Sequence, residues 1–167
     1  MRPAIYQILD MVQAAPTIER RIDILRRNDS FALRAVLAHN FDPNIVYDLP
    51  DVIIYRPNIL VDQESILYNE AKRLYVFVPA GNPNLTRERR ETLFVQLLEF
   101  IHANDAEVMM AVKDKKLEAT RPNLTYDLVK AAFPDILPEK PVVEEEEEVA
   151  ETEEIPVPEK KRTKKKA

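Results

Sequence analysis

Three clusters of basic residues are the clearest candidates for binding chemistry in this sequence. The first cluster contains Arg20, Arg21, Arg26 and Arg27. The second contains Arg87, Arg89 and Arg90, and the third contains Lys113, Lys115, Lys116 and Arg121. Lysine and arginine side chains donate charge-assisted hydrogen bonds to phosphate oxygens and offset their negative charge. The clusters therefore predict contact with an anionic partner such as a nucleic-acid backbone.

The third cluster has the more favourable surroundings for a phosphate. It lies in a predicted loop, Lys113 to Asn123, which leads into a helix that Thr125 is predicted to cap. The free N–H groups and the dipole at the start of a helix attract anions. The second cluster lies in the first turn of a helix, where cations are mildly disfavoured. Either a bound phosphate or intrahelical pairing with Glu88 and Glu91 would offset that cost, and both interpretations stay open.

Other kinds of chemistry have little support in the composition. The chain has one glycine, Gly81, and no cysteine. Glycine-rich phosphate loops, dinucleotide-binding fingerprints, nucleophile elbows and thiolate metal sites are therefore excluded. The two histidines, His39 and His102, are each isolated at the predicted end of a helix. We expect a chain that is not an enzyme and that has no cofactor, no metal and no small-molecule substrate.

The elements that must position the basic clusters are predicted to be helices. Apolar residues recur at helical spacing in 3–14, 16–27, 30–37, 64–79, 86–102, 104–112 and 125–134. Pro16 is expected in the first turn of the second helix, with Ile18 facing inward, and Ser30 and Thr86 are expected to cap the helices that they begin. The first helix is expected to place four apolar residues on one face: Ile5, Ile8, Leu9 and Val12. Residues 41–63 differ, because Pro43, Pro50 and Pro57 punctuate an extended run from Val52 to Tyr55. The predicted fold class is all-α, with six or seven packed helices and one proline-rich irregular excursion or short hairpin.

The charge distribution predicts one folded domain, residues 1–138, followed by a disordered tail, residues 139–167. The tail is nearly all acidic from Glu144 to Glu154 and nearly all basic from Lys160 to Lys166. Blocks of like charge repel themselves and bury little apolar surface. The tail either keeps the protein soluble or presents a basic tip to nucleic acid, and the sequence does not choose between these hypotheses.

The first residues contain no signal-peptide pattern, and no apolar run approaches the roughly 20 residues needed to cross a bilayer. Together with the lack of cysteine, this predicts a cytoplasmic protein that does not contact membranes.

Two stretches of the sequence resemble a known family. The stretch EVMMAVKDKKLEATRPNLTYDLVKAAFPDILPEKP looks like the closing segment of the N-terminal helical DNA-binding domain of ATP-dependent DNA ligases, those of T-even bacteriophages above all. The stretch IYQILDMVQAAPTIERRIDILRRNDSFALRAVLAHNFDPNIVYDLP resembles the start of the same domain. Over its folded length the chain also resembles small proteins of tailed phages.

The resemblance implies contact with duplex DNA across the minor groove, largely through phosphates. Carried over, it adds Leu117 and the segment from Arg121 to Thr125 to the predicted contacts. The family's loop contains a glycine, whereas this chain has Glu118-Ala119-Thr120-Arg121-Pro122-Asn123 in its place. The KxDG motif and the adenylation domain that ligation requires do not occur in the chain, so ligation is excluded.

The resulting hypothesis is a non-catalytic phage accessory protein that binds double-stranded DNA weakly, or that recruits phage or host replication or transcription proteins to DNA. The predicted contacts are Lys113, Lys115, Lys116, Arg121, Asn123, Thr125, Arg87, Arg89 and Arg90. The alternative is an adaptor that uses residues 43–61 or the acidic tail to bind a sliding clamp, an RNA polymerase or a host factor, without binding DNA directly.

Overall fold

The computed structural model describes residues 2–60 and 63–140. Eight α-helices and one 3-10 segment lie within these residues, and no strand does. The helices are α1 (Ile5–Ala14), α2 (Ile18–Arg27), α3 (Phe31–Phe41), α4 (Ile66–Glu70), α5 (Arg87–Phe100), α6 (Ala103–Lys113), α7 (Leu117–Thr120) and α8 (Tyr126–Ala132). The 3-10 segment, Ala71–Phe77, continues directly from α4. The all-α prediction is confirmed, although the described residues contain one or two more helices than expected.

Short polar side chains begin four of the helices. The hydroxyl oxygens of Ser30, Thr86 and Thr125 each accept a hydrogen bond from the amide three residues later, as the sequence predicted. Thr17 caps α2 in the same way. The prediction for Pro16 was wrong, because Pro16 lies before this cap and not in the first turn of the helix.

The predicted helix 64–79 is divided in the structure. Two carbonyl groups near its end are bonded outside the helix: the Val76 carbonyl accepts from Arg90, and the Phe77 carbonyl accepts from the Asp48 amide. Val78 then has an extended backbone, which is the conformation favoured before a proline. The α-helix therefore gives way to a 3-10 segment that ends at Phe77.

The core is assembled around α3 and α6. Helix α3 packs against α6 and the 3-10 segment, while α6 also contacts α1 and α5. Helix α2 lies between α1 and α8. The apolar face predicted for α1 is confirmed, since Ile5, Ile8, Leu9 and Val12 are all fully buried. In α2 only Leu25 is fully buried, and Ile18, which was expected to face inward, is mostly exposed.

The irregular excursion predicted for residues 41–63 is confirmed in its described part, since residues 42–60 form neither helix nor strand, and the alternative of a short hairpin was wrong. Residues 52–60 form neither helix, turn nor strand. Val61 and Asp62 lie outside the described residues, and so do the acidic and basic blocks of the predicted tail, which fall within residues 141–167.

Candidate interaction surfaces

The basic turn, which we define as residues 113–125, uses most of its cations within the fold. Lys113 is almost buried. Its ammonium group donates to the carbonyl oxygens of Pro50 (3.2 Å) and Asp51 (3.1 Å) and pairs with Asp114 at 2.6 Å. These three acceptors use all three protons of the ammonium group. Lys113 thus holds the proline-rich excursion against the end of α6, and no proton is left over for a phosphate.

Lys115 occupies the position after α6 where glycine is usual. Its φ of 55° is in the left-handed region. The Lys115 amide donates to the Val112 carbonyl, and the Lys116 amide donates to the Ala111 carbonyl at 2.8 Å. This pair of hydrogen bonds is the Schellman motif, which satisfies the last carbonyls of a helix. A non-glycine residue in this conformation costs about 1–2 kcal/mol, so an interaction of the side chain must offset the cost.

The offsetting interaction is with the end of α3. The Lys115 ammonium group donates to the carbonyl oxygens of Asp42 (2.8 Å) and His39 (3.0 Å) and lies 3.5 Å from that of Asn40. It therefore caps the carboxyl end of a helix, where a cation is favourable. Burial lowers the pKa of Lys115. This lysine is part of the packing between α3 and the basic turn.

The second half of the basic turn faces α1. The Arg121 guanidinium pairs with Asp10, at 2.8 Å from Nη2. Asn123 is bonded twice to Gln13: its amide N–H donates to the Gln13 side-chain oxygen, and its side chain donates to the Gln13 carbonyl. The Thr125 hydroxyl caps α8. These three predicted DNA contacts all bond to other residues of the chain, and Arg121 and Asn123 bond to α1.

A carboxylate occupies the place predicted for a phosphate. The Tyr126 amide, the first of α8, donates to Glu118 Oε1 at 3.1 Å. Glu118 belongs to α7, a one-turn helix within the predicted basic loop, so the prediction of a continuous loop from Lys113 to Asn123 was wrong. The start of α8 thus already has an anionic partner from within the chain.

The arginines at the start of α5 are arranged in the same manner. Arg90 is only 3% exposed. Its guanidinium bonds to Asp48 (2.7 Å), to the Asn82 carbonyl (2.7 Å) and to the Val76 carbonyl (3.2 Å). Arg87 donates to the Leu49 carbonyl at 3.1 Å but remains more than half exposed, and Arg89 is exposed. Arg90 does not form the intrahelical ion pair with Glu88 or Glu91 that was one of the two interpretations. Its ionic partner, Asp48, lies in the proline-rich excursion.

Of the nine predicted DNA contacts, Lys116, Arg87 and Arg89 have the most exposed cationic groups. Lys116 follows α6, whereas the two arginines lie on α5. Most arginines of the first basic cluster also bond to other residues of the chain. Arg26 bonds the last carbonyls of α8. Arg27 pairs with Asp23, and Arg21 bonds the Ala15 carbonyl.

Both histidines have structural partners. The Nδ1 atom of His39 lies 2.7 Å from the hydroxyl of Tyr47, and burial together with the nearby Lys115 cation lowers the pKa of His39 to about 4. His102 begins α6, where its Nδ1 atom accepts from the Asn104 amide, and its ring stacks on Tyr6. No three potential ligands among His, Asp and Glu of the described residues come together as a metal site.

One carboxylate is buried without a full set of partners. Asp105 Oδ1 accepts from the Tyr6 amide at 2.9 Å, while Oδ2 has no hydrogen-bond partner among the described residues. Burial raises the pKa of Asp105 to about 7. The side chain joins α6 to α1, and its proton content changes near neutral pH.

A different surface is formed by residues 49–60, which we call the proline-rich segment. Val52 is 77% exposed, Ile53 is 7% exposed and Ile54 is 87% exposed. This alternation has the two-residue period of an extended chain. Further along, Ile59 and Leu60 are 92% and 64% exposed. Four large aliphatic side chains therefore face solvent within nine residues, which is unusual for a short stretch of a folded domain.

The segment is nevertheless fixed to the helices at both ends. Arg87 and Lys113 bond the carbonyls of Leu49, Pro50 and Asp51 at one end. At the other end, the Arg56 amide donates to Glu99 at 2.9 Å. The Asn58 side chain donates to the Phe100 carbonyl at 3.1 Å. Between these anchors, the backbone groups of Val52 to Tyr55 make no hydrogen bond with any described residue.

An apolar groove lies close to the second anchor. It has a volume of about 320 Å³ and runs between the 3-10 segment and α5. Its lining includes Arg73, Phe77, Leu93, Leu97 and Phe100. The Phe100 carbonyl accepts the hydrogen bond from Asn58, so the groove adjoins the end of the proline-rich segment.

The family model of DUF6433, a family of unknown function, matches residues 8–119. The chain belongs to the DUF6433 family. The matched part of this DUF6433 protein runs from the middle of α1 to α7, so it contains the proline-rich segment and the cations that anchor it. Helix α8 and the predicted tail lie beyond the match. No curated protein matches the chain, and no solved structure matches it.

The DUF6433 match does not test the resemblance to DNA ligases, which stays a prediction together with the contacts that it implies. In the described residues, no helix combines the length and the apolar character that crossing a membrane requires.

Proposed function

We propose that this DUF6433 protein is a non-catalytic protein-interaction module that binds its partner protein through the proline-rich segment. The observation that carries the proposal is the row of exposed aliphatic side chains on an anchored, otherwise unpaired stretch of backbone. Burying one such side chain is worth about 1.5–3 kcal/mol relative to leaving it in water. Val52, Ile54, Ile59 and Leu60 together therefore supply enough apolar surface for specific recognition.

The anchors strengthen this proposal. A flexible loop that orders on binding loses affinity to the entropy of ordering, whereas a preorganised segment avoids most of that cost. Lys113, Arg87, Glu99 and Asn58 hold the two ends of the segment before any partner arrives. The resemblance to phage DNA ligases suggests replication or transcription proteins as the partner class.

A photocrosslinking experiment tests the proposal. A photoreactive amino acid replaces Ile54 in the full chain, and in a matched variant it replaces Ile18, an equally aliphatic exposed residue on α2. Irradiation in cells should give a discrete crosslinked protein from position 54 and none from position 18. Mass spectrometry identifies the product. The same products from both positions, or no discrete product from position 54, would contradict the proposal.

Duplex DNA is the second candidate partner, and the exposure of Lys116, Arg87 and Arg89 favours it. The full chain with Lys116→Glu and Arg89→Glu should bind a 30-base-pair duplex more weakly than the unmodified chain. Its binding should also depend less steeply on salt, since about one counterion is released per phosphate contact. Unchanged affinity and an unchanged salt slope would remove these cations from the DNA-binding hypothesis.

A further inference from the structure

Another apolar groove lies between α2 and α8. It has a volume of about 350 Å³, and its lining includes Ile18, Leu128 and Ala131. Ile18 is the first residue of α2 and is 59% exposed, although it belongs to the apolar stripe that Ile22 and Leu25 continue. The stripe thus extends beyond the contact with α8, and the groove leaves room for aliphatic side chains from another segment.

The described chain ends at the rim of this groove. After α8 the chain turns back toward the start of that helix, where the Tyr126 hydroxyl donates to the Pro138 carbonyl. Lys140, the last described residue, pairs with Asp127 at 2.9 Å, and Asp127 also lines the groove. This pairing offsets the negative charge of Asp127. An extended chain advances about 3.4 Å per residue, so the residues directly after Lys140 can reach the groove.

Those next residues match the groove and its surroundings in chemistry. Val142 and Val143 are aliphatic, and residues 144–148 are all glutamate. Helix α2 carries four arginines against two acidic residues. Arg21 lines the groove, and among the described residues its side chain donates one hydrogen bond, to the Ala15 carbonyl. The terminal N–H groups of its guanidinium therefore remain for a carboxylate.

We propose that the chain folds back onto this groove, with Val142 and Val143 between α2 and α8 and residues 144–148 along the arginines of α2. The order along the chain fits the order on the surface, because the groove comes first after Asp127 and α2 follows it. The inference is independent of the proposed function, since it uses no residue of the proline-rich segment. A segment of the same chain also gives no crosslink from Ile18 to another protein.

Tethering makes a weak contact sufficient. A short linker keeps a segment at an effective concentration in the millimolar range. An intrinsic dissociation constant of about 0.1 mM then leaves the segment bound about nine-tenths of the time. The bound glutamates occupy arginines of the first basic cluster, so an external polyanion has to displace them before it reaches these arginines.

Thiol protection tests the inference, because the chain contains no cysteine of its own. In the full chain, Ile18→Cys places a thiol at the groove, and Phe31→Cys is the matched control. Ile18 and Phe31 are each the first residue of a helix that a hydroxyl caps, and they are 59% and 62% exposed. The helix dipole therefore acts similarly on both thiols. The thiol at position 18 should be alkylated about tenfold more slowly than that at position 31. Equal rates would overturn the inference.

A change in the valines identifies what covers the thiol. Val142→Asp/Val143→Asp, added to the Ile18→Cys chain, should raise the alkylation rate to that of the control. The same change in the Phe31→Cys chain should have no effect, and circular dichroism should show unchanged helicity in every variant. Protection that survives the change would assign the cover to other residues and reject the inference. Protection that grows with protein concentration would assign it to a second copy and reject the inference as well.

Charge reversal tests where the glutamates lie. Glu144→Lys/Glu145→Lys in the Ile18→Cys chain should weaken the protection about threefold, since exposed ion pairs with α2 are lost. Glu153→Lys/Glu154→Lys gives the same net charge at positions beyond the docked segment and should leave the protection unchanged. An equal loss with both pairs would mean that the tail is attracted to the domain without a fixed register, which contradicts the proposed arrangement.

Discussion

The basic turn and the proline-rich segment use their residues in opposite ways. The basic turn has the composition of a binding site, yet Lys113 and Lys115 direct their ammonium groups at backbone carbonyls within the fold. The proline-rich segment contains an apolar run typical of a buried strand, Val52 to Tyr55, yet Val52 and Ile54 face solvent. A cation near a helix end is therefore as well suited to capping carbonyls as to binding phosphate.

The two regions are also physically joined. Lys113 in the basic turn bonds the carbonyls of Pro50 and Asp51 in the proline-rich segment, and Arg90 on α5 bonds Asp48 just before that segment. The cations therefore position the apolar surface. Changes to these cations should therefore act on stability before they act on recognition.

The largest expected effect is at Arg90. Arg90→Met keeps most of the aliphatic volume but removes the bonds to Asp48, Val76 and Asn82. Breaking a buried charge pair leaves the remaining groups without compensation, so the free energy of unfolding should fall by about 3–5 kcal/mol. Urea titration followed by circular dichroism measures it. Arg89→Met, on the exposed face of α5, is the control and should change stability by less than about 0.5 kcal/mol.

An Arg90→Met variant as stable as its Arg89→Met control would contradict a structural role for Arg90. In that case Arg90 would not anchor the proline-rich segment, and the prediction that Arg90 contacts DNA would gain support.

A smaller effect is expected at His39, which lies between the two regions. Its pKa is lowered to about 4, first by burial and then by Lys115. A histidine with a lowered folded-state pKa contributes stability that is present above about pH 6.5 and is lost as the pH falls toward 4. The full shift corresponds to at most about 3 kcal/mol. Asp105 acts in the opposite direction, because its raised pKa favours the folded state at low pH.

Because these contributions oppose each other, direct titration of the imidazole is the sharper measurement. The chain has two histidines, so NMR can follow the ring of His39 individually. We expect His39 to titrate near pH 4 and to move upward in Lys115→Ala, since a nearby cation is removed. A His39 that titrates near pH 6.5 would mean that the ring is solvated and that the contact with Tyr47 does not persist.

Much of the fold follows from local patterns in the sequence. The helix starts at Ser30, Thr86 and Thr125 and the apolar face of α1 were predictable, because capping and periodicity depend on neighbouring residues. The one-turn helix α7 was missed, since four residues are too few for a periodic signal. The 3-10 segment was missed because its carbonyls bond to Arg90 and Asp48, far away in the sequence.

The interaction surfaces were less predictable, because they depend on contacts between residues that are far apart in the sequence. Whether Lys113 faces a phosphate or Pro50 depends on a contact between residues 63 positions apart. The sequence predicted the extended run from Val52 to Tyr55. It did not predict which of these side chains face outward, because that depends on how the segment lies on α5 and α6. The positive φ of Lys115 was hidden for a different reason: glycine, the usual signal for this conformation, is absent there.

The smallest effect concerns this left-handed lysine and separates its two roles. Lys115→Ala removes the hydrogen bonds to the end of α3 and keeps the strained backbone. Lys115→Gly removes the same bonds but relieves the strain. Both variants should be less stable than the unmodified chain, with Lys115→Gly about 1 kcal/mol more stable than Lys115→Ala. Urea titrations of the three proteins under one set of conditions give the difference.

The order of stabilities then determines how the basic turn should be understood. If Lys115→Gly is at least as stable as the unmodified chain, the capping hydrogen bonds contribute less to stability than the backbone strain at Lys115 costs. The lysine would then be retained at a cost in stability, which is typical of a binding residue, and the DNA-binding hypothesis would gain support at this position. If Lys115→Gly lies between Lys115→Ala and the unmodified chain, the side chain stabilises the fold by capping α3. The contrast with the proline-rich segment then stands, because the lysine is a structural residue while the aliphatic side chains remain available for a partner.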